Sequence, residues 1–162
     1  MAQLHQAARP LSWLLGQWES ISGKGMYPTV APFNYTEKLT ITHLGQPLLN
    51  FFSETCYAGA PNHVECGFIR MNPGTKTVAY MCAQNIGIVE IEEGELDGKS
   101  ITFTNSSLLR MSFEQTAATG LKRTFCLNPD GTLEQIVCMS AGKTPMTKHL
   151  HIRYKKKETA NL

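Results

Sequence analysis

Apolar and polar positions alternate along most of this chain with a period of two. The run from Phe33 to His43 shows it most clearly. Phe33, Tyr35, Leu39 and Ile41 fall on one parity, and Asn34, Thr36, Lys38, Thr40 and Thr42 on the other. That period marks a strand with one buried face. Further strands are expected over Leu48 to Thr55, Cys66 to Met71, Thr77 to Ala83, Ile86 to Glu92, Ser100 to Asn105, Leu108 to Gln115, Leu121 to Leu127, Leu133 to Ser140 and Thr147 to Tyr154. Between them stand Asn72-Pro73-Gly74, Asp97-Gly98, Thr119-Gly120 and Asn128-Pro129-Asp130-Gly131, residues that start turns or accept positive φ. Gly23-Lys24-Gly25 reads as a flexible turn. Only Pro10 to Leu15, ended by Gly16, looks helical, and it is too short for more than a turn or two.

Strands at regular intervals with no helix between them favour antiparallel meander connections over parallel crossovers. About ten such strands close most readily into an up-and-down barrel, which removes exposed edges and encloses room for one small ligand. A β-sandwich is the alternative, although no Greek-key signal is visible. The expected fold is therefore all-β and one domain, with residues 1–9 as an N-terminal extension, 10–157 as the barrel and 158–162 as a tail.

Composition narrows the classes. The chain has 162 residues, 42% of them hydrophobic and 17% charged, as a globular domain with a real core requires. A net charge of +2 is too small to argue for nucleic acid, and Lys155-Lys156-Lys157 reads as a solvated terminal cluster. No apolar run reaches the length of a membrane span. The five cysteines, Cys56, Cys66, Cys82, Cys126 and Cys138, form no CxxC pair. Free thiols in a reducing compartment are expected, the cytoplasm or the nucleus as well, with all but Cys56 buried as small hydrophobes.

Most candidate chemistry fails on pattern. No serine lies in a GxSxG elbow, and Gly23-Lys24-Gly25 lacks the rest of a phosphate loop. Glu90 and Glu92 share a parity opposite Val89 and Ile91, which suggests a solvated outer face. His5 falls in a terminus expected to fray, His43 reads as a hydrogen-bonded structural histidine, and His63 follows Pro61-Asn62 in an expected loop. His149 and His151 stand apart because they lie two residues apart in the last strand. A regular strand gives them one face and Leu150, Ile152 and Tyr154 the other; a bulge would separate the two histidines. Imidazole on a barrel's inner wall suits a metal or a haem iron, and without a CxxCH any haem would be non-covalent.

Several words of the chain resemble the nitrobindin family. They are Leu11-Ser12-Trp13-Leu14-Leu15-Gly16-Gln17-Trp18, Gly23-Lys24-Gly25-Met26-Tyr27-Pro28-Thr29, Glu65-Cys66-Gly67-Phe68-Ile69-Arg70, Ala83-Gln84-Asn85-Ile86-Gly87-Ile88-Val89-Glu90 and Pro145-Met146-Thr147-Lys148-His149-Leu150-His151. They run in family order over residues 10 to 156 and are most similar to the haem-binding C-terminal domain of the animal THAP-domain nitrobindins.

The resemblance implies a ten-stranded antiparallel barrel like those of fatty-acid-binding proteins and lipocalins, with one non-covalent haem b per chain near its mouth. It implies His149 as proximal iron ligand, Thr29 as a haem contact, and His63 and Gln84 as candidates for the distal pocket. The implied activity is isomerisation of peroxynitrite to nitrate on ferric haem, with nitric oxide bound when the haem is ferrous. The iron would perform the chemistry, so no further catalytic residue is implied. A module that only stores or senses nitric oxide, and a lipid carrier with inward-facing arginines, are the alternatives. The family's GxWxGxG signature is stretched here to Gly16–Gly25, which alters loop geometry ahead of Thr29. No THAP zinc finger lies in these residues, so DNA binding is not assigned. The oligomeric state stays open, a homodimer included.

Overall fold

The computed structural model describes residues 2–114 and 117–158. A short 3-10 helix over Gln6–Leu14 precedes eleven strands: β1 Gly16–Tyr27, β2 Val30–Asn34, β3 Thr36–Thr42, β4 Leu49–Tyr57, β5 Ala60–Met71, β6 Thr77–Gln84, β7 Ile88–Asp97, β8 Ser100–Arg110, β9 Ala118–Leu127, β10 Leu133–Ala141 and β11 Thr144–Lys156. Each strand pairs antiparallel with its neighbours, and β11 returns to pair with β1. Strands β2 and β3 both lie along β1 and form one bent strand interrupted at Tyr35. The result is a closed ten-stranded antiparallel barrel, as expected.

The details depart from expectation in three places. Gly23-Lys24-Gly25 is no turn but the middle of β1. Its glycines are there for close approach: a Cβ on Gly23 would meet the Tyr35 carbonyl, and one on Gly25 would enter the Phe33 ring. The expected strands Ser100 to Asn105 and Leu108 to Gln115 are one strand, β8, with an irregularity in its pairing to β7; Gln115 lies outside the described residues. The polar stretch Thr104 to Ser107 hid that continuity. The helix begins at Gln6, before Pro10, because His5 Nδ1 accepts from the Ala7 N–H at 3.1 Å and caps it. Of the expected tail only Glu158 falls among the described residues.

The antiparallel order puts alternate turns at opposite ends. Turns after β1, β4, β6, β8 and β10 share one end; those after β3, β5, β7 and β9 share the other with the helix. The helix buries Ala8, Leu11 and Leu14 in the main core with Leu49, Ile69, Val78, Ile101 and Leu133. Burial of such side chains stabilises by about 1.5–3 kcal/mol each. Trp18 locks the junction by donating its Nε1–H to the Leu14 carbonyl at 2.8 Å. One end is filled with side chains. The other opens into a cavity.

Candidate functional site

The cavity measures about 280 Å³ and is open to solvent. Its lining changes character along its length. Phe33, Ile86, Ile88, Leu121, Met139 and Leu150 contribute an apolar wall, and Tyr35, Glu37, Ser53, Glu65, Arg123 and Gln135 a polar floor. Apolar walls with a few convergent polar groups are the usual build of a small-molecule site.

His149 reaches this cavity through a bulge. In the β10–β11 ladder Val137 faces Leu150 and Cys138 faces Lys148, so His149 is the extra residue between two regular pairs. The bulge breaks the alternation. His149 and Leu150 both line the cavity, and Ile152 and Tyr154 continue inward, fully buried. His151 falls outside, its Nε2 2.6 Å from Glu134 Oε1. The two histidines therefore do not share a face.

The His149 ring is oriented. Its Nδ1 lies 3.1 Å from the Met26 carbonyl oxygen across the closing seam between β1 and β11. A carbonyl only accepts, so Nδ1 carries a proton, and in the neutral form of the ring the lone pair is on Nε2. The edge of Tyr27 packs on the ring at 5.5 Å between centroids, and the Tyr27 hydroxyl donates to the Met139 carbonyl at 3.4 Å. This is the arrangement a metal-binding imidazole needs, one nitrogen held and the other offered. With the apolar wall around it, the donor set fits a haem iron.

The other expected residues divide. Gln84 at the end of β6 and His63 in β5 both line the cavity. Five places separate β6 from β11 in either direction around the ring, so Gln84 stands on the wall opposite His149. Its Nε2 donates to Glu90 Oε1 at 3.2 Å. His63 is in a strand, not a loop: its N–H donates to Thr55 Oγ1 at 2.9 Å and its Nε2 lies 3.1 Å from Glu65 Oε1. Thr29 occupies the exposed turn between β1 and β2, outside the residues that line the cavity. His43 differs from expectation, for its buried Nδ1 has no partner. Cys66 is exposed; Cys82 is buried, and its thiol is pushed up by burial and by the Glu65 carboxylate.

Beneath the cavity lies a charge cluster that alternation alone read the wrong way round. Glu90 and Glu92 are 1% and 0% exposed, while Val89 and Ile91 are about half exposed. Arg123, from β9, explains the inversion. Its Nε donates to Glu92 at 2.9 Å, its NH2 to Glu90 at 2.9 Å and its NH1 to Glu65 at 3.4 Å, and its guanidinium lies 4.5 Å from the Tyr80 ring centre. Burial pushes the Glu65 carboxyl up, but Arg123 and His63 outweigh it and hold it at about 2. Burial wins at Glu90, which rises to about 7 despite Arg123. Glu37, buried on β3, also rises to about 7 through burial and the charge of Glu65, although the Tyr154 hydroxyl donates to it at 2.9 Å. Sequence reasoning assigned Glu90 and Glu92 to a solvated face and gave Glu37, Glu65 and Arg123 no role in a site. The one available signal was Arg123 on a strand otherwise fit for burial.

The fold and this site define a small β-barrel with a cavity at its mouth, lined in part by an oriented imidazole. The chain belongs to the THAP4-like, heme-binding beta-barrel domain family, whose model matches residues 7–156. It is 45% identical over 158 residues to peroxynitrite isomerase THAP4 of Homo sapiens, 95% of this chain and 27% of that protein. It is 33% identical over 151 residues to peroxynitrite isomerase Rv2717c of Arabidopsis thaliana, 91% of this chain and 87% of that one. The crystal structure of Rv2717c from M. tuberculosis superposes with a TM-score of 0.85 at 31% identity, over 96% of this chain and all of that one. The chain thus spans about a quarter of the length of the curated THAP4 relatives it matches.

Proposed function

We propose that this chain binds one haem b non-covalently at the barrel mouth on His149 and isomerises peroxynitrite to nitrate in the ferric state, binding nitric oxide when ferrous. The observation that carries the proposal is the bulge at His149, which turns the imidazole into the cavity while Met26 holds its Nδ1. Relatives similar along most of their length are named peroxynitrite isomerases, which supports turnover over mere storage of nitric oxide.

Haem, when bound, would supply an iron that His149 can hold and on which a small molecule can bind. The chain's own residues do the rest. His149 binds and its Met26 partner orients it. Phe33, Ile86, Leu121 and Leu150 exclude water from the slot. Gln84 and His63 face the distal side; Gln84 Nε2 gives one hydrogen to Glu90 and keeps a second for an anionic ligand, whereas the His63 Nε2 is engaged by Glu65. Thr29, in the adjoining turn, is proposed to touch the cofactor's edge. The free thiols among the described residues fit a reducing cytoplasm or nucleus.

An anion carrier is disfavoured by the same geometry. Arg123 is the inward arginine such a carrier would use, and three carboxylates already occupy it. Stopped-flow decay of peroxynitrite tests the proposal. The ferric, haem-loaded chain in catalytic amount is expected to accelerate decay in proportion to its concentration and to yield nitrate. Unaccelerated decay by a haem-loaded chain would leave a non-enzymatic nitric oxide module.

A further inference from the structure

We propose that the inner end of the cavity is a second binding site, for a primary ammonium carried on a short apolar body. The inference goes beyond the haem reading and does not depend on it. Four inward carboxylates, Glu37, Glu65, Glu90 and Glu92, surround one guanidinium, Arg123, and Arg123 spends its donors on the last three. Glu37 is left facing the cavity with a hydrogen bond from a neutral phenol, that of Tyr154. The floor's four carboxyls therefore outnumber its one guanidinium, and Glu37, whose carboxyl burial raises to about 7, would be held ionised by a cation placed beside it.

A second observation points to a ligand. Tyr35 lines the same end, is 8% exposed, and its hydroxyl has no hydrogen-bond partner. Beyond burial, the charges of Glu37 and Glu65 raise its titration, which places that hydroxyl among the floor groups. Gln135 completes the set: its Oε1 accepts only a long contact, 3.4 Å, from Tyr154. An ammonium has three donors and no acceptor. Glu37, Tyr35 and Gln135 offer it three oxygens, and Leu121 and Val137, which line the same cavity, suit a short alkyl body. A carboxylate ligand would meet repulsion from Glu37 and Glu65. A hydrated metal ion would gain nothing from the apolar wall.

Calorimetric titration of the whole chain with n-butylammonium, butan-1-ol and butanoate, with and without bound haem, tests the site. Butylammonium is expected to bind in both states without displacing the Soret band, at least about tenfold more tightly than butanol, with butanoate silent. Glu37→Gln should lose about tenfold in butylammonium affinity, and Tyr35→Phe a smaller amount, both with native circular dichroism. His149→Ala, which removes the proposed iron ligand, should leave it unchanged. Equal affinity for butylammonium and butanol, unaltered affinity in Glu37→Gln, or binding seen only as coordination to iron would each overturn the proposal.

Discussion

The imidazole Nδ1 of His149 and the carbonyl oxygen of Met26 meet at 3.1 Å although 123 positions separate them. Only barrel closure brings them together, because β11 must return to β1 for the contact to exist. The candidate ligand is thus oriented by the last pairing that completes the fold. A bulge turns the ring inward, and a main-chain acceptor, which no side-chain substitution removes, fixes its tautomer.

The bulge should be separable from the histidine. Deleting Lys148 leaves His149 in the sequence but restores regular pairing, with His149 opposite Cys138 on the outward parity. Haem affinity is expected to fall at least about a hundredfold while the β-sheet circular dichroism stays native. Spectrophotometric haem titration reads the first, and retained affinity would mean that the bulge does not aim the ring.

Arg123 compensates three buried carboxylates and should be hard to remove alone. Arg123→Met is expected to destabilise the chain by about 3–5 kcal/mol in urea unfolding. Adding Glu90→Gln and Glu92→Gln should recover much of that loss, since it removes two of the three uncompensated carboxylates and leaves only Glu65. No recovery would show that Arg123 acts chiefly through packing on Tyr80.

Strand count and barrel closure were legible in the sequence because alternation and turn residues are local signals. The parity of β7 was not. Val89 and Ile91 are apolar yet half exposed, and Glu90 and Glu92 are charged yet buried, because Arg123 meets them from β9, next but one in the sheet and 31 and 33 residues away in sequence. Strand β1 was hidden for a related reason: Gly23 and Gly25 sit where Tyr35 and Phe33 approach too closely for a side chain. The His149 position was named through family words, but its inward aim depends on a register shift against β10 that no spacing within β11 reveals.

Glu37 should impose a pH dependence on stability. Its carboxyl rises from 4.5 to about 7 on folding, so between those values the folded chain holds a proton that the unfolded chain releases. Stability from this group is complete below pH 4.5 and is lost as pH rises through 7. Glu90 acts in the same direction, while Glu65, held at about 2, contributes above 4.5 and loses its contribution in acid. Glu37→Gln removes its share. Between pH 5 and pH 8 the wild-type melting temperature should fall relative to Glu37→Gln, by the equivalent of up to about 3 kcal/mol. Parallel pH profiles from thermal unfolding would contradict this assignment.

Titration of the purified chain with haemin, followed at the Soret band, tests the central claim for wild type, His149→Ala and His151→Ala. Wild type is expected to bind one haem per chain. His151→Ala should keep affinity and band position, since His151 faces outward to Glu134. His149→Ala should lose the native band and at least about a hundredfold in affinity. A native spectrum in His149→Ala, or its loss in His151→Ala, would contradict the account.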